Sequence, residues 1–382
     1  MNEDVERDRF RELIEITALA WGLGIEAAQR VASGKPAPRR RAGASMKCQC
    51  GYGCKCKAIA AAAAVGLSAA VLPAWAGTTV YVPLGSANKV IAVDAASDRV
   101  LRTFDGIENP HGLVATPDGQ YLVAGSMSER PLPRGAAEDM PNSRLSVIHP
   151  AHGHVMSTIG VAGWTHHQAI TPDGRYVLST HPARGAISVA DLTANKLVRT
   201  IATGPAPNYA VVTPDGSRVY VSNSGNGTVS EIDARTWKVL RTLEAGPSPE
   251  HMVLAPDGKR LFVANDRGGQ VTEVSLASGR VERRHALGER LHGLDISDDG
   301  RWLYASLVTE DKLIALDAQT GARRTLPLSP APYHLGAVRG TGKLYVSSSR
   351  EPKIWVVDQA SLKLVGGIEL PGGEGHQLAI SR

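Results

Sequence analysis

One turn phrase returns along this chain at a fixed interval, and that recurrence restricts the fold more than any other feature. "TPDG" stands at 116, 171 and 213, "APDG" at 255, "SDDG" at 297, and a degenerate "RGTG" at 339. In such a phrase proline presets the first turn torsion, aspartate bonds back to the main chain and glycine relieves the exit. Each turn is followed by an alternating strand such as "YLVAG", "YVLST" or "VYVSN", then a Gly-containing or charged loop. A third strand of the type "LSVIH", "ISVAD" or "VSEID" comes next, and a fourth such as "LVRTI" or "VLRTL". Four short strands joined by turns make a blade-sized unit.

The residues that open the units give the register. His166, Asn208, Glu250, His292, His334 and His376 follow one another at intervals of 42, and His111 precedes His166 by 55. The excess of 13 matches an insertion within "GSMSERPLPRGAAEDMPNS". Seven units and this insertion account for the chain from Gly77 to Arg382. A four-stranded repeat of this length predicts an all-β fold, a seven-bladed β-propeller with four-stranded blades. The ends complement one another: "TVYV", "KVIAVD" and "RVLRTF" supply strands two to four of a blade, and "HQLAIS" supplies the missing first. The N-terminal strands are therefore expected to pair with the C-terminal strand and close the ring, which removes exposed sheet edges.

Charge excludes one class of partner. The formal net charge is +5, but residues 1–76 carry 11 of the 42 Lys and Arg and 7 of the 37 Asp and Glu, leaving 31 against 30 in the repeat. Without a basic footprint the body has no nucleic-acid surface. The boundary at 76 comes from a secretory pattern opening at Met46: Lys47, Lys55 and Lys57, then "AIAAAAAVGLSAAVLPAWA", with Ala74-Trp75-Ala76 as the small-x-small site. The expectation is cleavage after Ala76 and a periplasmic or secreted monomer with no membrane contact thereafter. Residues 1–45 read as a leader or as sequence upstream of the true start, disordered or forming a short helix. All four cysteines, Cys48, Cys50, Cys54 and Cys56, fall in the segment to be removed. Their spacing suits zinc or copper(I) before export, or has no role beyond it. The mature body is left without thiol chemistry.

"VYVSN" and "LFVAN", each after a Pro-Asp-Gly turn and before a "VSEID"-like strand, resemble the YVTN-type β-propeller repeat family over essentially all of 77–382. The haem d1-binding propellers of denitrification are a more distant resemblance. The first implies a fold and leaves function open, because the architecture hosts binding proteins, hydrolases and oxidoreductases. The second implies a macrocycle over the channel mouth, with one axial histidine and with Arg184, Arg267 and Arg350 as partners for its carboxylates.

Propeller architecture places the 42-residue series where each chain crossing meets the innermost strand. His111, His166, Asn208, Glu250, His292, His334 and His376 should then circle the channel mouth, with His167 and His251 one step along. Five of the seven are histidine, and they are consecutive once the ring closes. Duplication of one ancestral histidine would give the same series without any ligand. Against that, the following position varies freely (Gly112, His167, Tyr209, His251, Gly293, Leu335, Gln377) while the ring position does not. Sheets about 10 Å apart put seven blades at a radius of roughly 11 Å, too wide for one zinc or copper ion to reach every imidazole. Two or three neighbours would converge instead, joined by His181 from "STHPARG". A second group, His149, His152 and His154, belongs to a turn on the opposite face. The insertion, with Met127, Arg130, Arg134, Glu138, Asp139 and Met140, is a candidate lid or contact for a periplasmic protein partner.

Three functions remain open from sequence: a metal- or metallocofactor-binding protein (zinc, copper or a haem d1-like group), a lactonase-type or other metal-assisted hydrolase with Glu250 as its carboxylate, and an interaction scaffold. No nucleophile elbow, zinc-protease helix, P-loop or dinucleotide fingerprint is present.

Overall fold

The computed structural model describes residues 77–381, which belong to a compact unit running from Trp75 to Arg382. The signal pattern at 46–76, the stretch 1–45 and the four cysteines lie outside the described residues. Seven four-stranded antiparallel sheets follow one another around an axis, as the repeat demands. A single 3-10 turn, Pro182–Arg184, is the one helical element among the described residues.

The first strand of each unit is the innermost strand of its blade. The first blade alone is built from both ends: Thr79, Val80 and Tyr81 pair with Ser381, Ile380 and Ala379. Second and third strands are buried along nearly their whole length, as in Thr79–Leu84 and Lys312–Asp317, whereas fourth strands such as Arg99–Asp105 face water. Hydrophobic clusters therefore form between blades. Phe262 and Val271 of one sheet pack with Leu294, Leu303 and Ile314 of the next, and Tyr345 and Ile354 pack with Val82 and Ile91 across the closure.

The turn phrase folds as its residues require. Thr171 Oγ1 donates to Asp173, whose carboxylate also accepts from the Arg175 amide at 3.0 Å, and Gly174 sits at φ 73°, a left-handed conformation that costs glycine little.

Candidate functional site

The inner strands carry a local irregularity that the periodicity conceals. In five blades the pairing slips by one residue at the ring position. Pro110 faces Ser126 but Leu113 faces Ala124, and the same slip falls across Asn208–Tyr209, Glu250–His251 and His292–Gly293. In the fifth of these blades it falls across Tyr333–His334, so Tyr333 takes the ring place expected for His334, and His334 follows it as His251 follows Glu250. A β-bulge re-aims side chains that would otherwise alternate across the sheet. The ring position and its successor can thus serve the same channel, and His251 joins the ring histidines for this reason. In the remaining two blades His166, His167 and His376 lie just ahead of their inner strands, Gln168–Ile170 and Ala379–Ser381.

The position after the ring is less free than its variety suggests. A Cβ at Gly112 would come within 2.5 Å of the His166 carbonyl, and one at Gly293 within 2.5 Å of the Tyr333 carbonyl. Strand-two hydroxyls sew these crossings together. Thr180, Ser222 and Ser306 accept from the amides of His167, Tyr209 and Gly293 in their own blades. They donate to the carbonyls of Asn208, Glu250 and Tyr333 in the next.

The seven histidines do not line an open mouth. Each is at most 7% exposed, and their rings touch in an unbroken group. His111 stacks on His166 at 4.4 Å and lies 4.1 Å from His376; His167 and His251 are 4.9 Å apart, and His334 is 4.9 Å from His251 and 4.8 Å from His292. This corrects the wide ring expected from sheet spacing. The inner strands approach more closely than the sheet centres do, and the imidazoles reach further in, so they plug the channel.

Three sets bring ligand nitrogens within 4.8 Å of one another: His111, His334 and His376; His111, His166 and His167; His167, His251 and His334. Burial pushes His111, His167, His251 and His334 well below the ordinary imidazole value, and neighbouring imidazoles add to the shift. Burial lowers His166 to about 3 and lowers His376 as well. These six rings are therefore neutral near pH 7, the state in which imidazole binds metal.

Groups around the plug orient it. His167 Nδ1 lies 2.9 Å from the Asn208 carbonyl, which can only accept, so Nδ1 carries the proton and Nε2 the lone pair. His292 Nδ1 lies 2.8 Å from Glu250 Oε2, and His292 stacks on Tyr333 at 4.0 Å. His376 Nε2 meets Glu374 at 3.2 Å, and Ser86 donates to the other oxygen of that carboxylate. Asp266 is raised to about 6 by burial and by the charge of Glu250, with Arg290 at 3.3 Å opposing the rise. Beside the plug, the channel opens into a cavity of about 400 Å³ reached by His251, His334, Tyr209, Gln168 and Gln377, with walls of mixed polarity.

The other expected residues fall elsewhere. His181 is committed to structure: its Nδ1 lies 3.0 Å from the Trp164 carbonyl and its Nε2 2.8 Å from Ser188 Oγ, so it does not join a triad. Glu250 meets the cluster through His292 and is in none of the triads. Arg184, Arg267 and Arg350 are exposed, and Arg184 donates to the Glu138 carbonyl of the insertion. The insertion is itself tied down: Glu129 accepts from the Trp164 amide and Asn142 from the Gly163 amide, just ahead of His166. His149, His152 and His154 stack along their turn, with His152 and His154 open to water, and form no metal-sized group. The structural partners Tyr333 and Glu374 escaped the sequence reading. Glu374, two residues ahead of a ring position, was the more discoverable.

Fold and site define a class, a seven-bladed propeller whose channel is closed by buried imidazoles. A family model described as lactonase, 7-bladed beta-propeller, matches residues 178–293. No curated protein matches the sequence. Among solved structures, the chain is similar to the periplasmic gluconolactonase PpgL of Pseudomonas aeruginosa, with 19% identity and a TM-score of 0.65 over 80% of this chain and 99% of that one. A putative 6-phosphogluconolactonase of Bacteroides fragilis gives 17%, 0.65, 80% and 98% in the same order. The dihydro-heme d1 dehydrogenase NirN gives 16%, 0.59, 77% and 64%. Likeness at these identities is likeness of fold.

Proposed function

We propose that this protein binds a transition-metal ion through the imidazoles that close its channel. The observation carrying this reading is the convergence of neutral, buried ring nitrogens from blades remote in sequence. The Nε2 atoms of His167, His251 and His292 and both nitrogens of His334 are buried with no hydrogen-bond partner among the described residues. Polar groups buried in that way are costly, and an ion that collects their lone pairs offsets the cost. An all-imidazole donor set favours zinc or copper over magnesium or calcium, which take oxygen. Three nitrogens bound to one ion at about 2.0–2.1 Å lie roughly 3.3–3.6 Å from one another, so a triad within 4.8 Å must contract by up to about 1.5 Å. The backing groups follow the usual support for metal-binding histidine: a carbonyl on His167 and carboxylates on His292 and His376.

The burial of all seven rings favours an ion over a macrocycle, which would need an imidazole edge presented at the mouth. The secretory pattern agrees with an exported chain that acquires its metal after export. Full-length protein incubated with excess zinc or copper and then desalted should retain metal stoichiometrically and unfold at a higher temperature. Protein that keeps no metal and gains no stability would count against the proposal.

A second reading, a metal-assisted lactonase, is supported by the family match and by Glu250 beside His292, with Asp266 as a carboxyl that holds its proton to about pH 6. An ion there would lower the pKa of a bound water. Glu250 and His292 would take up and hold the proton released. On this reading metal-loaded protein opens lactones, and Glu250→Gln slows turnover by about 100-fold or more while metal is retained. Absence of any lactone opening would leave the binding function alone.

A further inference from the structure

We infer that the cluster takes one ion per chain, seated on His167, His251 and His334, with its remaining coordination position facing the channel cavity. This rests on the metal-binding reading and specifies it. The three candidate triads are not independent: His111 belongs to the first and second, His167 to the second and third, and His334 to the first and third. A neutral imidazole has one lone-pair nitrogen and one N–H, so it serves one ion. An ion on any triad takes two corners that the other triads need. A second complete site would require a shared ring to lose its remaining proton.

Ring orientation and hydrogen bonding choose among the three. Imidazole lone pairs lie in the ring plane. His111 and His166 are stacked with planes 7° apart, so their lone pairs run side by side and do not meet at one point between the rings. In the first triad only His334 borders the channel cavity, against two members of the third. The third triad has neither obstacle. Its ring planes cross at 87° between His167 and His251, 39° between His251 and His334, and 64° between His167 and His334. The Asn208 carbonyl has already set His167 Nε2 as the lone-pair atom, and His251 Nε2 and both nitrogens of His334 are buried without a hydrogen-bond partner among the described residues.

The same triad borders the cavity, because His251 and His334 are part of its wall. Met252 and Leu335 line it beside the polar Gln168, Tyr209, Asp295 and Gln377, and the coordination position on that side faces this space. Three protein nitrogens and one exchangeable position describe a site that can take a small monodentate ligand from the channel.

Cobalt(II) titration of the full chain, read by ligand-field absorption and by metal analysis after desalting, tests this. The expected result is one ion per chain and a spectral shift on adding azide. His251→Gln should weaken binding by about 100-fold or more, while His166→Gln and His376→Gln stay within about 10-fold of the parent and keep the azide shift. Two or three ions per chain, or no response to azide, overturns the inference on the unmodified protein and leaves the metal-binding reading standing. Binding that survives His251→Gln but is lost in His376→Gln overturns the choice of triad. No cobalt bound at all removes both the inference and the reading beneath it.

Discussion

A histidine is normally the side chain that changes charge near neutral pH, yet most of those in this channel are held neutral far below it. The consequence is a definite pH dependence. His166 is lowered to about 3 and His181 to about 4, both by burial, from an unfolded value near 6.5. Between these limits the unfolded chain binds protons that the folded chain refuses. Stability is therefore complete above about pH 6.5 and falls as the pH drops toward 3, with a slope of about 1.4 kcal/mol per pH unit for each such histidine. Urea midpoints of chelator-treated protein should decline steeply from pH 6.5 to 4.5, and His166→Gln should flatten the slope by one histidine's share. A level profile would mean that the rings are not buried as neutral groups. At this scale the sequence was informative about identity and less so about role. His111, His166, His167, His251, His292, His334 and His376 were all legible as candidates. The commitment of His181 to Trp164 and Ser188 was not, because a histidine at a strand end is assigned by the carbonyl and hydroxyl that fold against it.

At the level of strands, the site depends on inner-strand bulges and on the hydroxyls that stitch each bulge to the next blade. Ser222 is fully buried, accepts from the Tyr209 amide at 3.0 Å and donates to the Glu250 carbonyl at 2.7 Å. Ser222→Ala removes the partner of a partly buried amide and a partly buried carbonyl and should cost about 1 kcal/mol or more. It should also loosen the Glu250–His251 bulge, so on the proposed metal-binding reading zinc or copper retention should fall along with stability. An unchanged denaturation midpoint would show that the stitch contributes nothing. The turn phrases and the strand order could be read directly from residue types, since both rest on local torsions and on alternation. The bulges could not: a single extra residue in one strand of a pair leaves the 42-residue interval intact and becomes visible only against the partner strand. For that reason the variable position after the ring looked unconstrained, although Gly112 and Gly293 are required by the approach of the next blade.

For the molecule as a whole, closure joins the two ends through Thr79–Ser381, Val80–Ile380 and Tyr81–Ala379, and the Leu84–Gly375 bridge extends it. Deleting 376–382 would leave the strand Thr79–Leu84 with an open edge and remove His376 from the plug. The thermal midpoint should drop by at least roughly 5–10 °C, at about 2 °C per kcal/mol for a chain of this size, and the protein should begin to self-associate. A monomer with an unchanged midpoint would deny the ends their structural role. The repeat alone determined the blade number, the strand order, the closure and which residues recur at the axis, because turn chemistry and alternating hydrophobicity are local and are written once per unit. Tertiary structure alone decided that the imidazoles meet, which of them bring ligand nitrogens within 4.8 Å of one another, and that Glu250 touches the cluster through His292. Those outcomes depend on how closely the inner strands approach and how far each side chain reaches into the channel, distances to which an interval along the chain is blind.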